Sequence, residues 1–118
     1  MPRSYLLFLE DMQLAMERIA RYCAGLDFAA FCASELVVDA VVRNLEVIGE
    51  AAKKVPPSVQ QAHPRLPWAQ MYRMRNRISH EYFGLDLATV WRVATEHLPL
   101  NYPDLLRALA AERPQRPH

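Results

Sequence analysis

The chain has 118 residues, a net charge of +1, an apolar fraction of 52% and three glycines. That length suits one domain with a small core, and so few glycines favour helices over a turn-rich β protein. The absence of any run of about 18 to 20 uncharged apolar residues argues against a membrane span. The apolar start is broken at Glu10 and Asp11, so it does not read as a secretory leader. Cys23 and Cys32 have neither metal-ligand spacing nor a disulfide framework and are expected as two buried thiols of a cytoplasmic protein. With no CxxC, HExxH or glycine-rich phosphate loop, neither a metal nor another cofactor is expected.

The first predicted helix covers residues 4–24. Tyr5, Leu9, Met12, Met16, Ile19 and Cys23 recur at alternating steps of four and three, which sets them on one stripe. Ser4 is the expected N-cap, and Gly25 stands where helices commonly end. The stretch "LDFAAFCASE" is a short helical turn or a loop that delivers Phe28 and Phe31 to the core. A second long helix is predicted over 34–55, stopped by Pro56 and Pro57. Its polar face carries Glu35, Asp39, Arg43, Glu46, Glu50, Lys53 and Lys54. Leu36, Val37, Val38, Val41, Val42, Leu45, Val47 and Ile48 cover the rest, so it should be central, with neighbours on two sides. Asn44 falls in that apolar arc, as a structural hydrogen-bonder or a site residue. Gly49 costs helix stability there and suggests close packing.

Residues 56–67 read as a proline-punctuated connector with one turn of helix. Pro67 suits the start of the next helix, over 68–79. Gly84 breaks the chain; Asp86 then caps another helix, with Leu85 and Val90 as a hydrophobic staple. Leu87, Val90, Trp91 and Ala94 make its buried side. Pro99 and Pro103 should interrupt, leaving a last helix over 104–112 with Leu105, Leu106 and Leu109. Residues 1–112 make the expected domain, and 113–118 a disordered tail.

The charge is unevenly spread. Residues 1–50 hold eight acidic and four basic side chains, whereas 51–80 hold six basic and no acidic ones. The positive third therefore suits an anionic partner. It includes "MYRMRNRISHEYFG", residues 71–84. At about 100° per residue, Met71, Met74 and Ile78 share a core-facing side, and Arg73, Asn76, Arg77 and His80 lie roughly opposite. Asn76 and His80 are i,i+4 neighbours, and Arg75 lies near the core border. Arg75 and His80 are about 140° apart, too far for a compact pair on one straight helix. The site asks for a bend near His80 or a two-fold axis that supplies residues from a second copy.

Arg, His and Tyr beside a groove suit a phosphodiester. An arginine can bind two phosphate oxygens, and a histidine can move the proton. RNA carries its own nucleophile in the 2′-hydroxyl. Asn76 could orient His80 or hold a phosphate oxygen. The plainer alternative is a solvated arginine face, with His80 favoured at the helix end by the dipole.

Arg75-Asn76-Arg77-Ile78-Ser79-His80-Glu81-Tyr82 fits R-x4-H-x-Y and resembles the signature of HepT-like toxins in the HEPN superfamily. The resemblance extends to "YLLFLEDMQLAMERI", "DAVVRNLEVIGEAAKKV" and "PWAQMYRMRNRISHEYFGLDLATVW". It implies an all-α, antiparallel bundle of about four to five helices, dimeric, with the motif helices lining a shared cleft. It also implies a metal-independent endoribonuclease toxin whose antitoxin is a minimal nucleotidyltransferase. Carried over, Arg75 and His80 are the catalytic pair with Asn76 in support, and Tyr82 is the AMPylation acceptor. Arg73 and Arg77 supply positive surface for RNA. A non-catalytic helical module binding nucleotide or RNA, or a dimerisation domain, is the alternative.

Overall fold

A serine hydroxyl starts each of the two longest helices of the structure, a computed structural model that describes residues 4–80 and 86–114. Ser4 Oγ accepts from the Leu6 N–H at 3.3 Å and opens α1 (Tyr5–Cys23). Gly25, at φ +77°, takes the left-handed turn that leads the chain out of it. Asp27 Oδ1 accepts from the Ala30 N–H at 2.8 Å, making the next stretch a short helix, α2 (Phe28–Ala33). Ser34 Oγ accepts from the Val37 N–H at 3.2 Å and opens α3 (Glu35–Lys54). Each cap satisfies an N–H that has no partner inside its helix.

The proline connector contains one short helix, α4 (Pro57–Ala62), and Gln60 Nε2 donates back to the Ala52 and Val55 carbonyls. The motif helix, α5 (Trp68–His80), begins directly after Pro67, whose carbonyl accepts from the Met71 N–H. Asp86 caps α6 (Leu87–Arg92) as expected; Leu85, the other half of the expected staple, lies outside the described residues. A π turn (Val93–His97) then joins α6 to α7 (Leu98–Glu112) without a break.

That continuity corrects the expectation that Pro99 and Pro103 interrupt the chain. Pro99 falls in the first turn of α7, directly after the π turn, where the Leu98 N–H reaches back five residues to the Val93 carbonyl. The wider turn makes room before the proline ring, and an N–H absent from a first turn costs little. Pro103 stays inside α7 on its exposed side.

α3 is central, packed mainly between α1 and α5, and α7 lies along α1. Tyr5 meets Glu112 and Glu17 meets Tyr102, so α1 and α7 run antiparallel. Gly49, late in α3, faces Met71 and Arg75 of α5. The described residues thus form the expected all-α antiparallel bundle. Leu9, Met12 and Ile19 of the α1 stripe are fully buried, each worth about 1.5–3 kcal/mol.

Four side chains depart from expectation. Phe31 is fully buried but Phe28 stays 41% exposed, and Leu36, in the first turn of α3, is 81% exposed. Leu106 faces outward while Leu105 and Leu109 are buried, as the 3.6-residue period requires of adjacent positions. Cys23 is buried but Cys32 is exposed, and both are free thiols. Among the described residues no helix is long and apolar enough to cross a membrane.

Candidate functional site

Arg75 is half-buried at the seam between α3 and α5, and the seam explains why. Met71 and Ile78 point into the core, and Met74 is half-buried beside them. With that side fixed, the 3.6-residue period carries Arg73, Asn76 and Arg77 to the exposed side, as the spacing anticipates. Arg75 falls between the two sides, against Gly49. A Cβ placed on Gly49 would lie 2.3 Å from Arg75 Cβ and 2.6 Å from the Met71 carbonyl oxygen. The close packing expected of Gly49 is therefore contact with the motif helix itself.

The Arg75 guanidinium leaves this seam and Nη1 donates to Asn76 Oδ1 at 3.3 Å. Among the described residues, neither Arg75 nor Arg73 nor Arg77 has a carboxylate within ion-pairing distance. Guanidinium groups of this kind suit an anion. His80 is the last described residue of α5, and its side chain, like Tyr82, lies outside what the structure describes. The structure therefore brings Arg75 and Asn76 together and continues the helix through position 80. Position 80 remains about 140° around the axis from position 75.

The flanks of α5 differ in character. Away from Arg75, a cleft of about 450 Å³ opens between α3, α5, the π turn and α7, lined by Leu45, Ile48, Met71, Met74 and Leu98. Arg65 and His97 also line it, residues that the motif-centred sequence reading did not connect with α5. Neither Arg75 nor Asn76 lines that cleft.

Nearby polar groups serve the framework. Asn44 is buried and its amide donates to the Ala40 carbonyl at 2.8 Å, a bond within its own helix, which favours the structural reading. Where the chain returns after the motif, the Thr89 hydroxyl, then the Ala88 N–H, holds the Asp86 carboxyl below the usual carboxylate range. That charge-stabilised cap fixes the entry of α6. Among the described residues no three His, Cys, Asp or Glu side chains are placed to share a metal ion.

Residues 12–111 match the model of a family described as "Ribonuclease HepT-like". The chain is 38% identical over 99 residues to "Probable ribonuclease HepT" of Thermococcus cleftensis, covering 84% of this chain and 90% of that one. It is 37% identical over 92 residues to "Putative RNase MJ0125" of Methanocaldococcus jannaschii, covering 78% and 79%. Similarity to "Putative RNase TTE0752" of Caldanaerobacter subterraneus is 33% identity over 99 residues, covering 83% and 85%. No solved structure matches the chain.

Proposed function

Because this chain belongs to the HepT-like ribonuclease family, we propose that it is an endoribonuclease toxin that cleaves RNA between two copies of itself. The observation that carries this reading is the Arg75 guanidinium, seated at the α3–α5 seam, bonded to Asn76 and unmatched by any described carboxylate. A charge held that way suits a phosphate whose negative charge grows during reaction.

In this reading the RNA 2′-oxygen attacks the adjacent phosphorus, and the bond from phosphorus to the 5′-oxygen breaks. The products are a 2′,3′-cyclic phosphate and a free 5′-hydroxyl. His80 moves the proton, taking it from the 2′-hydroxyl or giving it to the leaving oxygen. Arg75 neutralises the charge that builds on the phosphate, and Asn76 holds the guanidinium or a phosphate oxygen. The substrate supplies the nucleophile, so no metal is required. Arg73 and Arg77 attract the RNA backbone.

The same reading assigns neutralisation to a nucleotidyltransferase antitoxin. The Tyr82 phenolate attacks the α-phosphorus of ATP, pyrophosphate leaves, and AMP remains on the tyrosine. Added charge and bulk there would repel RNA from the cleft.

The test is cleavage of RNA by protein purified free of antitoxin, with EDTA present. Cleavage to cyclic-phosphate ends is expected, with His80→Ala slower by about 10²–10⁴-fold. Salt-dependent RNA binding without products would favour the non-catalytic module. Equal cleavage by His80→Ala would remove His80 from the mechanism.

A further inference from the structure

We infer that Gly49 is a positioning residue for the proposed cleavage: it sets the level at which Arg75 leaves the α3–α5 seam. This rests on the nuclease reading for its catalytic consequence, and on geometry for the seat itself. The two atoms that a Cβ would strike are Arg75 Cβ at 2.3 Å and the Met71 carbonyl oxygen at 2.6 Å, with Arg75 Cγ next at 3.2 Å. The first two belong to the backbone of α5 or to the atom joined to it, so no change of rotamer relieves the contact.

Relief requires α5 to move. Restoring ordinary contact from 2.3 Å needs a retreat of about 1 Å. A packed core resists that at one helix face and transmits it along the element. Arg75 would move with its helix, and its bond to Asn76, one residue on, would move too. Positioning errors of about 1 Å can cost on the order of 10²-fold in rate. The side chain nearest Gly49 is that of Arg75 itself, so the motif residue bears the displacement most directly.

The experiment compares Gly49→Ala, Arg75→Ala and the double variant. Gly49→Ala is expected to lower kcat by about 10²-fold with a smaller change in KM. In the Arg75→Ala background its cost should be much smaller, because the guanidinium seated at the contact is gone and only the rest of α5 is displaced. A purely structural role would give the same loss in both backgrounds and overturn the inference, as would full activity in folded Gly49→Ala. If the single variant does not fold, Leu45→Val trims the cleft wall beside Met71 and Met74 and gives α5 room to shift for Gly49→Ala. The folded pair should then remain about 10²-fold below Leu45→Val alone, and equal activity would overturn the inference. The Arg75 Nε–Hε resonance reads the seat without RNA. It should shift in Gly49→Ala, and an unmoved resonance would overturn the seat even if wild-type protein cleaves nothing. A shifted resonance with an inactive wild type would instead locate the failure in the nuclease reading.

Discussion

His63 Nε2 and Glu112 Oε2 lie 2.9 Å apart and tie the connector before α5 to the last residue of α7. Tyr5 donates its hydroxyl to the other carboxylate oxygen at 3.1 Å, and the Trp68 indole donates to the His63 carbonyl at 3.0 Å. One partly buried carboxylate thus gathers the start of α1, the end of α7 and the entry of the motif helix. The hydrogen bond from His63, then that from Tyr5, holds the Glu112 carboxyl below the ordinary glutamate range against the opposing effect of burial. A carboxyl depressed in the folded state stabilises above the unfolded-chain value, and that contribution disappears as pH falls through the folded value. Glu112→Gln should therefore be less stable than wild type near neutral pH and lose less on acidification. Urea midpoints from about pH 7 down to about pH 3 should converge at the acid end. Parallel curves would remove Glu112 from the acid sensitivity.

Phe31 and Phe28 lie one helical turn apart and make unequal use of Trp91. Phe31 is fully buried with ring centroids 5.0 Å from Trp91, whereas Phe28 is 41% exposed at 6.4 Å. Phe31→Ala should cost about 3–5 kcal/mol of unfolding free energy, because it leaves a cavity beneath α6. Phe28→Ala should cost less than about 1 kcal/mol, since water already covers part of that ring. Similar midpoints for the two variants in chemical denaturation would contradict this assignment.

This pair also shows what could be read in the sequence. Helix faces were legible: the α1 stripe, the Met71 and Ile78 side, the Ser4 cap and the tight place at Gly49 follow from local period and residue type. Which end of a face finds a neighbour was not legible. Leu36 and Phe28 have core chemistry, but stand where the bundle leaves them uncovered. The helix through Pro99 depends on a π turn that local proline rules do not anticipate. His63 and Glu112 are 49 residues apart, beyond any local pattern. In the candidate site, Arg75 and Asn76 were legible as neighbours. The seam that seats Arg75 required the register of α3 against α5.

Tyr82 gives a prediction that separates neutralisation from catalysis. After co-expression with a cognate nucleotidyltransferase, the intact mass should rise by whole AMP units, and Tyr82→Phe should abolish the rise. Wild type of unchanged mass would remove AMP transfer and leave the nuclease as proposed. A mass gain that survives in Tyr82→Phe would move the acceptor to another residue.

The separation of positions 75 and 80 around α5 makes its own prediction about the dimer. The helix runs through His80, so the two positions stay about 140° apart on each copy. If each site combines Arg75 of one copy with His80 of the other, Arg75→Ala and His80→Ala each retain only a small residual activity alone and are complementary when mixed. In a mixed dimer both lesions fall in one site and leave the second intact. Equal mixing with free exchange makes about half the dimers mixed, so about a quarter of wild-type activity should return. Sites built within one copy would each lose a residue in the mixed dimer, and no activity would return. Recovery must also depend on subunit exchange, so mixing after chemical cross-linking of each variant should restore nothing. A mixture as inactive as its components, despite demonstrated exchange, would place the whole site on one chain.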